Sequence, residues 1–109
     1  MIIALFRNKK LTQSKHLALG IREFFSAQGV EIVTDDDDAK EIGALPLSEF
    51  DPKDIQFIIS LGGDGTILAL MHQYDQLDAP VLGINMGHLG FMADVQIADV
   101  YPSLQDLLI

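Results

Sequence analysis

The chain has 109 residues, 49% of them hydrophobic, which is enough for one domain with its own core. It contains no cysteine, which excludes a disulfide framework, a thiolate metal site and a cysteine nucleophile and fits a reducing compartment. The formal net charge of −9 argues against a nucleic-acid or membrane partner, and no apolar run approaches the ~20 residues of a membrane-spanning helix.

The first half of the chain begins with strand and helix patterns in alternation. Residues 2–6 form a continuous apolar run, which is typical of a strand covered on both faces. Residues 11–28 have apolar positions at helical spacing, and Gly29 stands where a C-terminal cap belongs. Residues 30–34 are β-branched and predict a second strand. Residues 35–52 contain one glycine and two prolines as breakers and predict a loop with one helical turn.

The second half repeats the alternation. Residues 55–61 (IQFIISL) have the strongest strand pattern of the chain, and residues 66–74 predict a helix. Residues 81–84 predict a further short strand, which a glycine-rich loop follows, and residues 97–109 again have helical spacing. The order of these elements predicts an α/β fold with a doubly wound, Rossmann- or flavodoxin-like parallel sheet in a single domain, residues 1–109.

Ligands of such sheets bind beyond the carboxyl ends of the strands. That rule predicts that three segments meet at one edge of the sheet: residues 7–10, residues 62–66 and residues 85–91. The first of them, Arg7-Asn8-Lys9-Lys10, is the only basic cluster near the end of an apolar strand. All seven Lys and Arg lie within the first 53 residues, so a polyphosphate ligand would find few other cations.

The turn Gly62-Gly63-Asp64-Gly65-Thr66 joins the strongest strand to a helix. Its glycines allow a phosphate or a ribose to approach the backbone, and the start of the helix attracts anions. A carboxylate repels phosphate, so Asp64 in this turn predicts Mg²⁺ binding or acceptance of a proton from an attacking hydroxyl. The structural alternative is a common Asp-Gly turn in which Asp64 caps the helix.

Two better-known phosphate motifs do not fit this turn. No Gly-Lys-Ser/Thr follows it, so it is not a Walker A loop. Counted on from Gly63 and Gly65, the last glycine of a GxGxxG motif would fall on Leu68, so a nicotinamide-dehydrogenase motif is excluded as well.

The loop GINMGHLGF, residues 83–91, is the second motif. Its three glycines let the backbone lie against a ligand, and Phe91 offers an aromatic face for a base. A plain surface loop with Leu89 and Phe91 packed into the core is the structural alternative.

Residues 62–66 resemble a signature shared by NAD kinases, diacylglycerol and sphingosine kinases, and, with Ser as the last residue, phosphofructokinases. All of these transfer phosphate from a nucleoside triphosphate to a hydroxyl group. Lipid kinases usually carry a Pro-x-Gly-Thr-x-Asn-type loop where this chain has residues 83–91. The two motifs together resemble the NAD kinase family, and the resemblance runs from the first strand to about Asp94.

The resemblance implies that Asp64 is the general base that deprotonates the 2′-hydroxyl of the adenosine ribose of NAD, so that a phosphoryl group from ATP or polyphosphate gives NADP. It implies Mg²⁺ with ATP, bound near Asp64, and no dedicated protein metal site. The implied nucleotide-binding residues are Gly63, Gly65, Thr66, Leu68, Asn85, Gly87 and Phe91. The implied phosphate contacts are Arg7, Asn8 and Lys9.

The NAD kinase family also has a second, mostly β domain, which nothing in residues 1–109 matches. We therefore expect a cytoplasmic enzyme that forms a homo-oligomer in its complete form, and little activity from this chain alone. A lipid kinase and a non-catalytic nucleotide-binding module remain alternatives. A receiver-type signalling domain is disfavoured, because it needs an acidic pair after the first strand, where this chain has Arg7 and Asn8, and a late lysine.

Several polar residues outside these motifs have a structural interpretation. The run of four acids at residues 35–38 is expected to be a solvated loop that starts a helical turn. His16, His72 and His88 lack metal-ligand spacing and are expected to be structural or solvent-facing. Met71 is expected in the core rather than at a ligand.

Overall fold

The computed structural model describes residues 1–85 and 95–96, with the backbone alone for residues 64, 85, 95 and 96. Two 3-10 turns, Leu47–Glu49 and Pro52–Asp54, precede the fourth strand. The strands and helices are, in chain order, β1 (Ile2–Arg7), α1 (Thr12–Ala27), β2 (Glu31–Thr34), α2 (Ala39–Ile42), β3 (Leu45–Pro46), β4 (Ile55–Gly62), α3 (Asp64–Gln73), β5 (Val81–Asn85) and β6 (Val95–Gln96).

The strands form one parallel sheet in the order β3-β2-β1-β4-β5-β6. The chain runs outward from β1 to β2 and β3, and then returns so that β4 pairs with the other side of β1. Helix α1 packs on one face of the sheet and α3 on the other, which confirms the predicted doubly wound α/β fold. The strand order reverses between β1 and β4, and in open α/β sheets this switch point is where ligands bind.

The two faces of the sheet bury separate apolar clusters. Leu5 of β1 faces α1, where it shares a fully buried cluster with Ile21 and Phe25. The next residue, Phe6, faces the opposite side and shares a cluster with Leu70 of α3. This alternation follows from the two-residue period of a strand, and it explains why β1 is apolar from Ile2 to Phe6. Each large side chain buried in this way contributes about 1.5–3 kcal/mol.

The structure departs from the sequence expectations in two short strands. β3 lies within the segment expected to be loop, and its Leu45 and Pro46 pair with Val33 and Thr34 of β2. β6 pairs with the end of β5. Proline suits β3 because β3 is an edge strand of the sheet, which leaves one side without partners. Two-residue strands carry no periodicity, so no pattern predicted them.

The structure also tests the expected helical turn and the expected helix cap. The helical turn expected within residues 35–52 is α2, and Gly29 follows α1 with φ +77°, as its predicted capping role requires. Within the described residues, no helix is both long enough and apolar enough to cross a membrane. The helix expected over residues 97–109 lies outside the described residues.

Candidate functional site

The turn after β4 is shorter than the sequence indicated. β4 ends at Gly62 and α3 begins at Asp64, two residues before the predicted start of the helix. Gly63 is the N-cap residue, and its carbonyl oxygen accepts the amides of Thr66 at 3.1 Å and Ile67 at 3.2 Å. The N-cap position therefore belongs to Gly63, and the backbone of Asp64 is the first in the helix.

The start of α3 is suited to an anion. The N-cap residue, Gly63, has no side chain with which to cap the helix. The first amides of a helix have no partner within the helix, and the helix dipole adds positive potential at the same end. This end of α3 directly follows the carboxyl end of β4, so it lies at the switch point of the sheet.

The three glycines of the turn have different surroundings. A Cβ added at Gly62 would collide with Oγ1 of Thr66 and lie 3.2 Å from Cβ of Asn8, and the φ angle there is +156°. A Cβ added at Gly63 or Gly65 would meet no atom of the described residues within 4 Å, apart from its own chain neighbours and helix backbone. Among the described residues, close packing therefore requires glycine at Gly62, whereas the space beside Gly63 and Gly65 is open.

The loop between β1 and α1 borders this turn. The Asn8 amide donates to the carbonyl oxygen of Leu61 at 2.8 Å, immediately before the turn. The side-chain oxygen of Asn8 accepts the Lys10 amide at 3.1 Å, which closes the loop on itself. On the other side, Asn85 at the end of β5 is in register with Gly62. The structure thus brings the first two predicted segments together and the third segment's first residue beside them.

Arg7 points away from this edge, into a buried ion pair. Its Nε and Nη2 donate to the two carboxylate oxygens of Asp38 at 2.7 and 2.6 Å, and its Nη1 lies 3.2 Å from Oγ of Ser14. The side chains of Arg7 and Asp38 are 9% and 1% exposed. A guanidinium held in this way is poorly placed to contact a phosphate, so the structure disfavours that prediction for Arg7.

The acidic run at residues 35–38 is only partly the solvated loop that was expected. Asp36 and Asp37 are exposed, and hydrogen bonds from the side chain and backbone of Ser48 hold the pKa of Asp36 below its usual value. Asp38 is buried against Arg7, so the expectation is wrong for this residue. The two partners are 31 residues apart, and no local pattern indicates that they meet.

The lysines of the β1–α1 loop differ in their partners. Lys9 pairs with Asp35 at 2.6 Å, and the lysine side chain is 47% exposed. Lys10 is exposed and has no acidic partner within ion-pair distance among the described residues. Lys10 is therefore a better placed cation for an anionic ligand than Arg7, although both belong to the same basic cluster.

Helix α3 packs through Ile67 and Leu70 and leaves its other side to solvent. Leu68 and Met71 are each 54% exposed, which contradicts the expectation of Met71 in the core. Thr66 is half-buried at the start of the helix, beside Gly62. The helix is apolar around its circumference, so the sequence pattern did not separate its inner from its outer face.

His16 and His72 are exposed, as expected, while Gly87, His88 and Phe91 lie outside the described residues. Among the residues that the structure describes, no group of three acids or histidines is arranged to hold a metal ion.

A sequence family described as the ATP-NAD kinase N-terminal domain matches residues 3–109, nearly the whole chain. The chain belongs to this family. The match confirms the resemblance drawn from the two glycine motifs, and it decides against a receiver domain.

Curated members of the ATP-NAD kinase family are similar to this chain over most of its length. An NAD kinase of Protochlamydia amoebophila is 45% identical over 107 residues, which are 98% of this chain and 38% of that protein. An NAD kinase of Pyrococcus furiosus is 38% identical over 98 residues, covering 84% of this chain and 34% of the relative. An NAD kinase of Thermococcus kodakarensis is 36% identical over 108 residues, covering 94% of this chain and 37% of the relative. The chain thus spans little more than a third of the length of these relatives.

Proposed function

We propose that the protein carrying this domain is an NAD kinase. It transfers the γ-phosphoryl group of ATP, or a phosphoryl group of polyphosphate, to the 2′-hydroxyl of the adenosine ribose of NAD and so forms NADP. One observation carries the proposal: within a member of the ATP-NAD kinase N-terminal domain family, the turn at residues 62–66 lies at the switch point of the sheet.

Asp64 is the proposed catalytic residue. Its backbone stands at the first position of α3, where the helix dipole stabilises a carboxylate in its charged form. In the proposed reaction the ribose 2′-hydroxyl gives its proton to this carboxylate while its oxygen bonds to the γ-phosphorus. The bond from that phosphorus to the β,γ-bridging oxygen breaks, and ADP leaves.

The residues around Asp64 are proposed to hold the nucleotide. The space that the described residues leave beside Gly63 and Gly65 supports a close approach of ribose or phosphate to the backbone. Thr66 lies beside Gly62 in the same turn, and Leu68 supplies an exposed apolar surface one turn along α3. Three further residues are proposed for the opposite wall on the strength of the second motif: Asn85, Gly87 and Phe91.

The phosphates of the donor are proposed to lie over the start of α3 and the loop after β1. The amide end of the helix and the exposed cations Lys9 and Lys10 support this position, with Asn8 between the two elements. Mg²⁺ would be bound mainly through the nucleotide, with Asp64 as the nearby acid, and would supply neutralisation of the charge on the phosphates.

The chain is proposed to work as part of a longer cytoplasmic protein that forms homo-oligomers. The relatives it matches are between two and three times as long, so further residues for NAD and for subunit contacts belong outside residues 1–109. For this reason little activity is expected from the chain by itself.

The decisive experiment measures NADP formed from NAD, ATP and Mg²⁺ by the full-length protein and by its Asp64→Asn variant. The substitution keeps the shape of the side chain and removes the base, so turnover should fall by about 10²- to 10⁴-fold while NAD still binds. Asp75→Asn, which changes an exposed acid beyond the other end of α3, is the matched control and should keep the parent rate. A folded full-length parent that makes no NADP would contradict the proposal, and normal turnover by Asp64→Asn would contradict the role of Asp64.

A further inference from the structure

The ion pair between Arg7 and Asp38 is unusual for this chain because both partners are buried. The pair joins the last residue of β1 to the residue before α2, on the α1 face of the sheet. Of the four ion pairs among the described residues, it is the one whose side chains are both below 10% exposed. Removing two charges from water is costly, and a pair of apolar residues would stabilise such a position at least as well. The presence of the buried ion pair is therefore better explained by the fixed arrangement that it gives to the end of β1 and the start of α2 than by a gain in stability.

Ser14 connects this pair to the loop between β1 and α1. Nη1 of Arg7 lies 3.2 Å from the Ser14 hydroxyl, which is itself fully buried in the first turns of α1. The same hydroxyl lies 2.8 Å from the carbonyl oxygen of Asn8 and 2.6 Å from that of Leu11. A serine has one hydrogen to donate, so it bonds one carbonyl at a time while it accepts from Arg7. Both ends of the loop, Asn8 and Leu11, thus lie within hydrogen-bond distance of one buried atom.

Asn8 in turn touches the glycine turn. Its amide donates to Leu61 at 2.8 Å, and its Cβ is one of the atoms that a side chain at Gly62 would meet. A continuous set of contacts therefore leads from Asp38 through Arg7 and Ser14 to the edge of the proposed nucleotide site. From Asp38 to Asn8 each contact is a hydrogen bond, which is directional in a way that an apolar contact is not.

We propose that Asp38, Arg7 and Ser14 are positioning residues for the nucleotide site, and that they do so by holding the β1–α1 loop against the glycine turn. The inference rests on the proposed function for the identity of the ligand. Arg7 belongs to this network, so it acts behind the loop and does not contact phosphate. The loop then presents Asn8 and the neighbouring lysines to the donor at a set distance from α3.

Ser14→Ala is the sharpest test, because it removes the link and leaves the ion pair of Arg7 and Asp38 in place. In the full-length protein we expect the Asn8 amide to exchange with solvent about tenfold faster. We also expect KM for ATP to rise about tenfold, with a smaller change in kcat, at a temperature where the variant is fully folded. Ser14→Thr keeps a hydroxyl and should recover much of the parent KM.

Glu41→Gln is the matched control. It breaks the Lys15–Glu41 pair, which also joins α1 to α2 but is exposed and does not reach the loop. This variant should leave both the exchange rate and KM unchanged. Arg7→Lys keeps the charge but loses the two-pronged contact with Asp38, and it should resemble Ser14→Ala in its effect on KM.

The two readouts separate the possible failures. A folded Ser14→Ala protein with the parent's exchange rate at Asn8 would overturn the inference. Faster exchange of the Asn8 amide with an unchanged KM for ATP would show that the network has only a structural role, and this result would also overturn the inference. If the full-length parent forms no NADP, the proposed function fails, whereas the exchange measurement still decides whether the network holds the loop.

Discussion

Replacing Gly62 with alanine tests the account of the turn between β4 and α3 most directly. The new methyl group would overlap the Thr66 hydroxyl and lie 3.0 Å from Cβ of Thr66 and 3.2 Å from Cβ of Asn8. The φ angle of +156° is one that side-chain-bearing residues rarely adopt. Overpacking and backbone strain each cost about 1–3 kcal/mol, so we expect the free energy of unfolding to fall by about 2–4 kcal/mol.

Gly65→Ala is the matched control within the same turn, and it should act in the opposite direction. Apart from its chain neighbours and the backbone of α3, no atom of the described residues lies within 4 Å of the added methyl group. The residue is inside α3, and its φ is not positive. Alanine loses less conformational entropy than glycine when a helix forms, so stability should rise by up to about 1 kcal/mol. Under the proposed function the same methyl group occupies space meant for the nucleotide, and the affinity for ATP or NAD should fall.

Urea unfolding, followed by far-ultraviolet circular dichroism, gives both stability changes as shifts in midpoint at equal m-value. Titration calorimetry with ATP and with NAD gives the affinities. A loss below about 1 kcal/mol in Gly62→Ala would refute the argument from close contact. A Gly65→Ala protein that is more stable and binds as the parent does would remove the support that the open space lends to the nucleotide site.

Two further predictions concern the core and the alkaline range. Phe25 is 0% exposed between α1 and the sheet. Phe25→Ala should therefore lower the free energy of unfolding by about 3–5 kcal/mol in the same urea assay. A decrease below about 1 kcal/mol would contradict the burial of this ring. Burial, and next the negative charges of residues 35–37, raise the pKa of the Tyr74 phenol above its usual value near 10. Folding favours the neutral phenol. Its contribution to the free energy of unfolding is therefore complete below the pKa of Tyr74 in the unfolded chain, and it is lost as pH rises through the higher pKa of Tyr74 in the folded protein. The phenol of Tyr74 can be titrated by ultraviolet absorbance, as the difference between the titration curves of the parent and of Tyr74→Phe. The midpoint of this difference should lie at higher pH than that of free tyrosine. A midpoint at or below that of free tyrosine would show that the ring is not shielded.

Much of the fold could be predicted because its signals are local. The apolar runs of β1 and β4 and the helical spacing of α1 follow from the periods of strand and helix, and they need no knowledge of partners. β3 is two residues long and includes Pro46, so it exists only because β2 offers it an open edge. A pairing of that kind is a property of the assembled sheet.

The glycine turn was likewise predictable, since its residue types are defined by backbone freedom and by the helix that follows. The ion pair of Arg7 with Asp38 was not predictable from the sequence. A basic residue at the end of a strand indicates a phosphate contact when only its neighbours are known, yet the fold brings Asp38 to it from 31 positions away.

The sequence by itself determined the longer strands and helices of the described residues, their alternation and the turn that carries Asp64, because spacing and backbone chemistry are local quantities. The tertiary structure alone decided the strand order that makes β1 and β4 neighbours at the switch point. It also decided which of the three glycines is closely packed by other described residues and which two are not. The physical reason is common to both: distances between residues far apart in the chain are set by how the layers pack, and local periodicity carries no information about them.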